Sequence, residues 1–377
     1  MTLVINFTSS GEDNNSWVNI SCTSEDNTFW STTYFQALIY ICYITIFIFA
    51  FLGNGMVCYI VLANLRMRTK TNYFIVTLAI GDILMAFFCI PFSFVSMLVL
   101  QYWPFGIILC KTVNFSQAVS VLVSAYTFVA ISVDRYSAIM WPLRQRITMR
   151  HAKIIIATVW IFAIATSIPI PMYSTLTKPG DWHKYCNKYI CREEWPEDSQ
   201  NYLYTLTLLT FQFIIPFLVL IITYSRIAIE VWGKHTPGEA ENSRDQRIAK
   251  SKRKMIKMMV VVVVVFTICW LPFNILTILY DENFSTWEPL PYFFFAFHWL
   301  AMSHSCYNPI IYCYMNVMYR RGFIRILLRI PFIQCVFPKK WKRFNYINDL
   351  HLNRVNTCTT FISRKINGNT YGETLLS

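Results

Sequence analysis

A chain of 377 residues that is 55% hydrophobic and only 14% charged differs sharply from a water-soluble globular domain, in which about 25% of residues are charged. The net charge of +13 sits in connectors beside long apolar runs, which assigns it to an anionic lipid surface and argues against a nucleic-acid partner. No P-loop, nucleophile elbow or zinc-type cysteine and histidine spacing occurs, so neither an enzyme nor a metal protein is indicated.

Residues 1–36 form a polar tail whose charges are Glu12, Asp13, Glu25 and Asp26, with no Lys or Arg. It carries acceptor sequons at Asn6, Asn14 and Asn19, and a further one stands at Asn283. Seven apolar stretches follow, near 37–62, 72–99, 107–140, 152–173, 202–232, 256–280 and 290–316, each long enough to cross roughly 30 Å of hydrocarbon. The first lacks the basic flank and short apolar core of a cleaved signal, so it is expected to be a span. The run Val260–Val265 suggests a strand in water, but inside lipid every backbone group must pair within its own segment, and a helix is expected.

Basic residues alternate along the connectors. Arg66, Arg68 and Lys70 lie in the first, Arg144, Arg146, Arg150 and Lys153 in the third, and Arg244 through Lys257 in the fifth. This pattern puts the N-terminus outside and the C-terminus inside a plasma membrane. The segment from Gly233 to Lys254 reads as part loop and part helical extension. Residues 317–330, with Arg320, Arg321, Phe323, Ile324 and Leu327, suit a short amphipathic helix on the inner membrane surface. Cys335 follows it as a palmitoylation candidate, with an unmodified cysteine as the alternative. Residues 331–377 form a basic inner tail whose Thr357, Thr359, Thr360, Ser363 and Thr374 are candidate phosphorylation sites for arrestin binding.

Several polar residues fall inside the spans. Asp82 lies deep in the second, where a carboxylate must be protonated, paired or solvated. Asn54, Ser124 and Asn308 lie at comparable depth, and the set reads either as a site for a small cation such as sodium or as a satisfied structural network. Pro216, Pro272 and Pro309 each remove a helical hydrogen bond and mark bends, as hinges or as static packing features. Asp134-Arg135-Tyr136 ends the third span, where ionisable groups are costly unless used.

Taken in order, Gly53-Asn54, Leu78 to Asp82, Asp134-Arg135-Tyr136, Trp160, Pro216 with Tyr224, Phe266-x-x-Cys269-Trp270-Leu271-Pro272 and Asn308-Pro309-Ile310-Ile311-Tyr312 resemble the rhodopsin-like G-protein-coupled receptors over 37–330. The resemblance implies an all-α membrane protein, a seven-transmembrane helix bundle with a ligand pocket at its outer end and a cleft for a heterotrimeric G protein at its inner end. It implies that Arg135 is the switch residue, supported by Tyr224 and Tyr312, and that Trp270 lies beneath the ligand. It further implies a disulfide from Cys110 to the second outer loop. Cys191 is the better partner, because Cys191-Arg-Glu-Glu-Trp195-Pro196 looks like the cysteine-bearing segment of peptide receptors, and whether Cys22 and Cys186 pair stays open.

Two absences narrow the ligand. Gln117 stands where an amine receptor of this family carries an aspartate, and no lysine for retinal lies between 289 and 316. Acidic residues Asp281, Glu282 and Glu288 at the mouth between the sixth and seventh spans favour a cationic ligand. The set Gln117, Gln212, Asp281 and His298 is similar to the pocket pattern of neuropeptide Y receptors. Phe297 to Asn308 looks most like the invertebrate RYamide branch of that group, which implies a peptide ending in Arg-aromatic-amide with its guanidinium on Asp281. The alternatives are a solvated loop acid at Asp281, glutamines bonded to each other or to backbone, and an interfacial histidine at 298. A receptor for another RFamide or tachykinin-like peptide, or a scavenging receptor that does not signal, is the alternative function.

Overall fold

The computed structural model describes residues 5–7, 18–20, 33–141, 143, 147–233, 243–279 and 289–329. Asn14, Asp281, Glu282, Asn283, Glu288 and Cys335 lie outside these residues. A short antiparallel pair, β1 (Ile5–Phe7) and β2 (Val18–Ile20), sets Asn6 opposite Asn19. Among the described residues, six helices are long and apolar enough to cross a membrane: α1 (Thr33–Ala63), α2 (Lys70–Leu100), α3 (Gly106–Met140), α4 (Met149–Tyr173), α5 (Asp198–Glu230) and α6, whose apolar part is Ile256–Leu279. A two-stranded hairpin, β3 (Ser174–Thr177) with β4 (Ile190–Glu193), interrupts the series between α4 and α5. Helix α7 (Leu290–Met315) has 26 residues and rises about 39 Å at 1.5 Å per residue, also enough to span.

Helix ends are set by polar side chains that the apolar pattern does not reveal. Thr69 caps α2 by accepting from the Asn72 amide, and Thr148 caps α4 by accepting from the His151 amide. At the other end, α2 stops at Gln101 in a left-handed conformation, and α3 starts at Gly106 with φ of 78°, a geometry that favours glycine. The fifth connector becomes helical at Ser243, so α6 runs Ser243–Leu279 and its basic first half is a helical extension. The valine run lies within it as helix.

Helix α3 is the axis of the bundle, packing against α2, α4 and α5, while α1 packs on α2 and α7, and α6 on α7. In its most apolar window 72% of residues are buried, against 17% in α4 and in α5. The exposed surfaces of the outer helices carry large apolar groups such as Leu52, Ile161, Phe217, Ile222 and Ile275, as a lipid-facing surface requires.

Proline positions are absorbed in two ways. Wide helical turns at Met85–Cys89 and Thr210–Ile214 precede Pro91 and Pro216, so the backbone carbonyls left without a donor fall in loosened turns. At Pro309 the helix stays continuous, and α1 closes on it through Gly53: a Cβ there would meet Pro309 Cγ at 3.0 Å. A separate compact unit begins at Asn316 and contains α8 (Val317–Leu327), capped by Asn316, which accepts from the Met318 amide at 2.9 Å.

Candidate functional site: a cavity beneath the hairpin

Cys110 near the start of α3 is disulfide-bonded to Cys191 of β4, with 5.6 Å between their Cα atoms. The hairpin is thereby tied to α3, and Trp103, Cys110 and Val113 pack with Leu176 and Cys191 beneath it. Cys186 is also disulfide-bonded.

Below the hairpin lies a cavity of about 430 Å³. Gln117 and Ala118 of α3, Ile170 of α4, Glu193 of β4, Asn201, Thr205 and Gln212 of α5, and Trp270, Phe273, Asn274 and Thr277 of α6 line it. Gln117 and Gln212 share this space, and neither amide bonds to the other or to any described residue, so both keep their capacity for a ligand. Trp270 is buried at its floor against Phe213, Phe266 and His304.

His298 is not brought to the cavity. Its Nδ1 lies 2.7 Å from the Tyr43 hydroxyl of α1, and its ring stacks on Phe294, with Phe273 between it and the cavity. Three aromatic neighbours and a hydroxyl partner satisfy it as an interfacial histidine joining α1 to α7. Asp281, the acid expected to meet the guanidinium, lies outside the described residues.

The cavity instead contains an acid that the sequence reading passed over. Glu193 Oε2 accepts from Trp195 Nε1 at 3.0 Å, and Trp195 is wedged between Tyr173 and Tyr204, with ring centroids 4.1 and 4.9 Å away. Burial pushes the Glu193 carboxyl above the usual range, and the Trp195 hydrogen bond works against that shift. Strand alternation was the available signal, because Arg192 and Glu194 pair with each other at 2.7 Å on the exposed side, leaving Glu193 to point the other way.

Deeper in the bundle, Asn308 Nδ2 donates to Asp82 Oδ2 at 2.7 Å, and Asn54 Nδ2 donates to the Ala50 and Ser305 carbonyls at 2.9 and 2.8 Å. Ser124 is buried near Gly81, and its hydroxyl has no partner among the described residues. The remaining oxygen of Asp82 faces His304, whose Nε2 is 3.3 Å away, an ion-pair distance without hydrogen-bond alignment. His304 Nδ1 lies 2.9 Å from the Ala301 carbonyl, which can only accept, so Nδ1 carries a hydrogen.

This donor set does not fit a resident sodium ion. Both carboxylate oxygens face nitrogen groups within 3.3 Å, which crowd the positions a cation would take; the unpartnered Ser120 and Ser124 hydroxyls suit water. Agonist affinity is expected to change little when sodium chloride replaces choline chloride, whereas His304→Asn should introduce a sodium effect. Competition binding in the two salts checks this, and a shift of about 5-fold or more in the unaltered chain, the scale of an ordinary coupled site, contradicts it.

At the end of α3 opposite the cavity, Asp134 is buried and held by two cations. Lys70 Nζ lies 2.6 Å from Oδ1, and Arg135 pairs with Oδ2. Arg135 also donates to Thr71 Oγ1 at 2.5 Å. In the sequence Lys70 is one of the basic residues of the first connector, and nothing in the sequence marks Thr71 as a partner of Arg135. Tyr136 packs edge-on against Trp141, and Tyr312 is fully buried in α7.

The model of the 7 transmembrane receptor (rhodopsin family) matches residues 53–312. The chain is 59% identical to the RYamide receptor of Drosophila melanogaster, over 92% of this chain and 77% of that protein. It is 50% identical to the RYamide receptor of Tribolium castaneum, over 90% of each chain. The human Neuromedin-K receptor is 38% identical over 84% of this chain and 66% of its own length. With a matching model across the bundle and relatives this similar, the chain belongs to the rhodopsin family of seven-transmembrane receptors, and is a multi-pass G-protein-coupled receptor and not an enzyme.

Proposed function

We propose that this receptor responds to an amidated neuropeptide ending in Arg-aromatic-amide and passes the signal to heterotrimeric G proteins. The observation that carries the reading is 59% identity to an RYamide receptor across 92% of the chain, well above the 38% shared with the Neuromedin-K receptor. The free amides of Gln117 and Gln212 above Trp270 suit an aromatic carboxamide, a group that both donates and accepts. The guanidinium is assigned to Asp281.

In this reading the N-terminal tail, residues 1–36, is extracellular and glycosylated at Asn6, Asn14 and Asn19. Residues 37–316 form the receptor domain in the plasma membrane, 317–330 the amphipathic surface helix, and 331–377 a cytoplasmic tail that recruits arrestin and carries a palmitate on Cys335. Arg135 is the output switch, and Asp134, Tyr136, Tyr224, Asn308, Pro309 and Tyr312 belong to the same switch.

A panel of amidated peptides and their free-acid counterparts on cells expressing the chain tests the reading. An Arg-aromatic-amide peptide should activate, and its free acid should be far weaker. Truncating one partner of a buried charge pair costs roughly 2–5 kcal/mol, so Asp281→Ala should lower potency by about 30-fold to several thousand-fold at unchanged surface expression. Unchanged potency removes the Asp281 assignment.

A further inference from the structure

The cavity wall contains an acid suited to a cation. We propose that Glu193 meets the guanidinium of the peptide's penultimate arginine from the hairpin side; this rests on the peptide reading above.

Glu193 is placed for this by the fold. The Cys110–Cys191 bond fixes β4 over α3, and Glu193 lies two residues beyond that bond, on the cavity with Gln117 and Gln212. One carboxylate oxygen is held by Trp195, itself clamped by the stacked rings of Tyr173 and Tyr204, so the side chain is oriented before any ligand arrives. The other oxygen has no partner among the described residues. The adjacent cation is not available to it, because Arg192 is turned to Glu194. An oriented, desolvated carboxylate with one free oxygen and no cation of its own is complementary to a planar guanidinium, which offers paired donors. A purely structural acid at this place would have a cation or two donors on it.

The experiment is a cycle of receptor and peptide changes. Glu193→Gln keeps the size and an oxygen for Trp195, and the probe is an amidated peptide ending in Arg-Tyr-amide beside its citrulline analogue, which keeps the shape of arginine without its charge. With the arginine peptide, Glu193→Gln should lose about 10-fold or more in potency, the scale of a charged partner removed from a partly buried pair. With the citrulline peptide it should lose almost nothing, and surface expression should match the unaltered receptor. Equal losses with both peptides, or none with either, overturn the assignment of Glu193 while leaving the peptide reading intact. Failure of every amidated peptide to activate the unaltered receptor overturns both.

Discussion

Replacing Cys110 with serine is expected to abolish high-affinity peptide binding. The bond it removes joins positions separated by 81 residues, a closure worth about 4–5 kcal/mol in a chain-entropy account. The larger consequence is local. A lone two-stranded hairpin is marginal in water, and β3–β4 owes its place to this bond, to the packing of Leu176 and Cys191 on Trp103 and Val113, and to the stacking of Trp195. Once untethered, the hairpin no longer fixes Glu193 over the cavity, and a mobile wall adds an ordering cost to every binding event. Peptide potency should fall by about 100-fold or more, the equivalent of roughly 2.8 kcal/mol. Saturation binding on intact cells, with surface receptor counted separately, provides the check. Potency within about threefold of the unaltered receptor would show that the hairpin is held by packing alone.

Neutralising Asp134 is expected to raise signalling without ligand. Asp134 is only 3% exposed and binds two cations, Lys70 and Arg135, while Arg135 reaches α2 through Thr71. Hydrogen bonds to charged groups contribute about 1.5–3 kcal/mol each. Asp134→Asn weakens two of them, and Arg135 then keeps only its bond to Thr71 and its remaining neighbours. A shift of about 1.4 kcal/mol toward the active arrangement multiplies its population about tenfold where that population is small. Basal nucleotide exchange in membranes of matched receptor content should rise by about that factor. The unaltered receptor should already show some basal exchange, because the stretch Lys250-Ser251-Lys252-Arg253-Lys254 of α6 contains no acid to add to the restraint on Arg135. A silent Asp134→Asn variant would place the restraint elsewhere.

The helices were legible because the bilayer imposes a length and a pairing rule that composition reveals directly. Val260–Val265 illustrates this, since context overrode its strand propensity. Helix ends were less legible, because Thr69 and Thr148 extend α2 and α4 by capping rather than by apolarity. The β3–β4 hairpin escaped notice, as its strands are only four residues long and their pairing spans a loop. The prolines at 91 and 216 mark where a helical bond is lost, but the wide turns before them depend on backbone register.

At the site, Gln117, Gln212 and Trp270 meet in one cavity, while His298 lies behind Phe273 and bonds Tyr43. His304 does have a sequence signal, since it stands four residues before Asn308 on the same helical face. Lys70 has none, because positive charge near a membrane edge already has an explanation.

An Arg-aromatic-amide peptide should drive G-protein activation through this chain. The decisive measurement is guanine-nucleotide exchange on a heterotrimeric G protein reconstituted with the purified receptor in lipid. Exchange should rise with the amidated peptide, saturate, and be far weaker with the free acid. Peptide binding with no change in exchange across the G-protein classes would contradict it, and would identify a receptor that captures peptide without signalling.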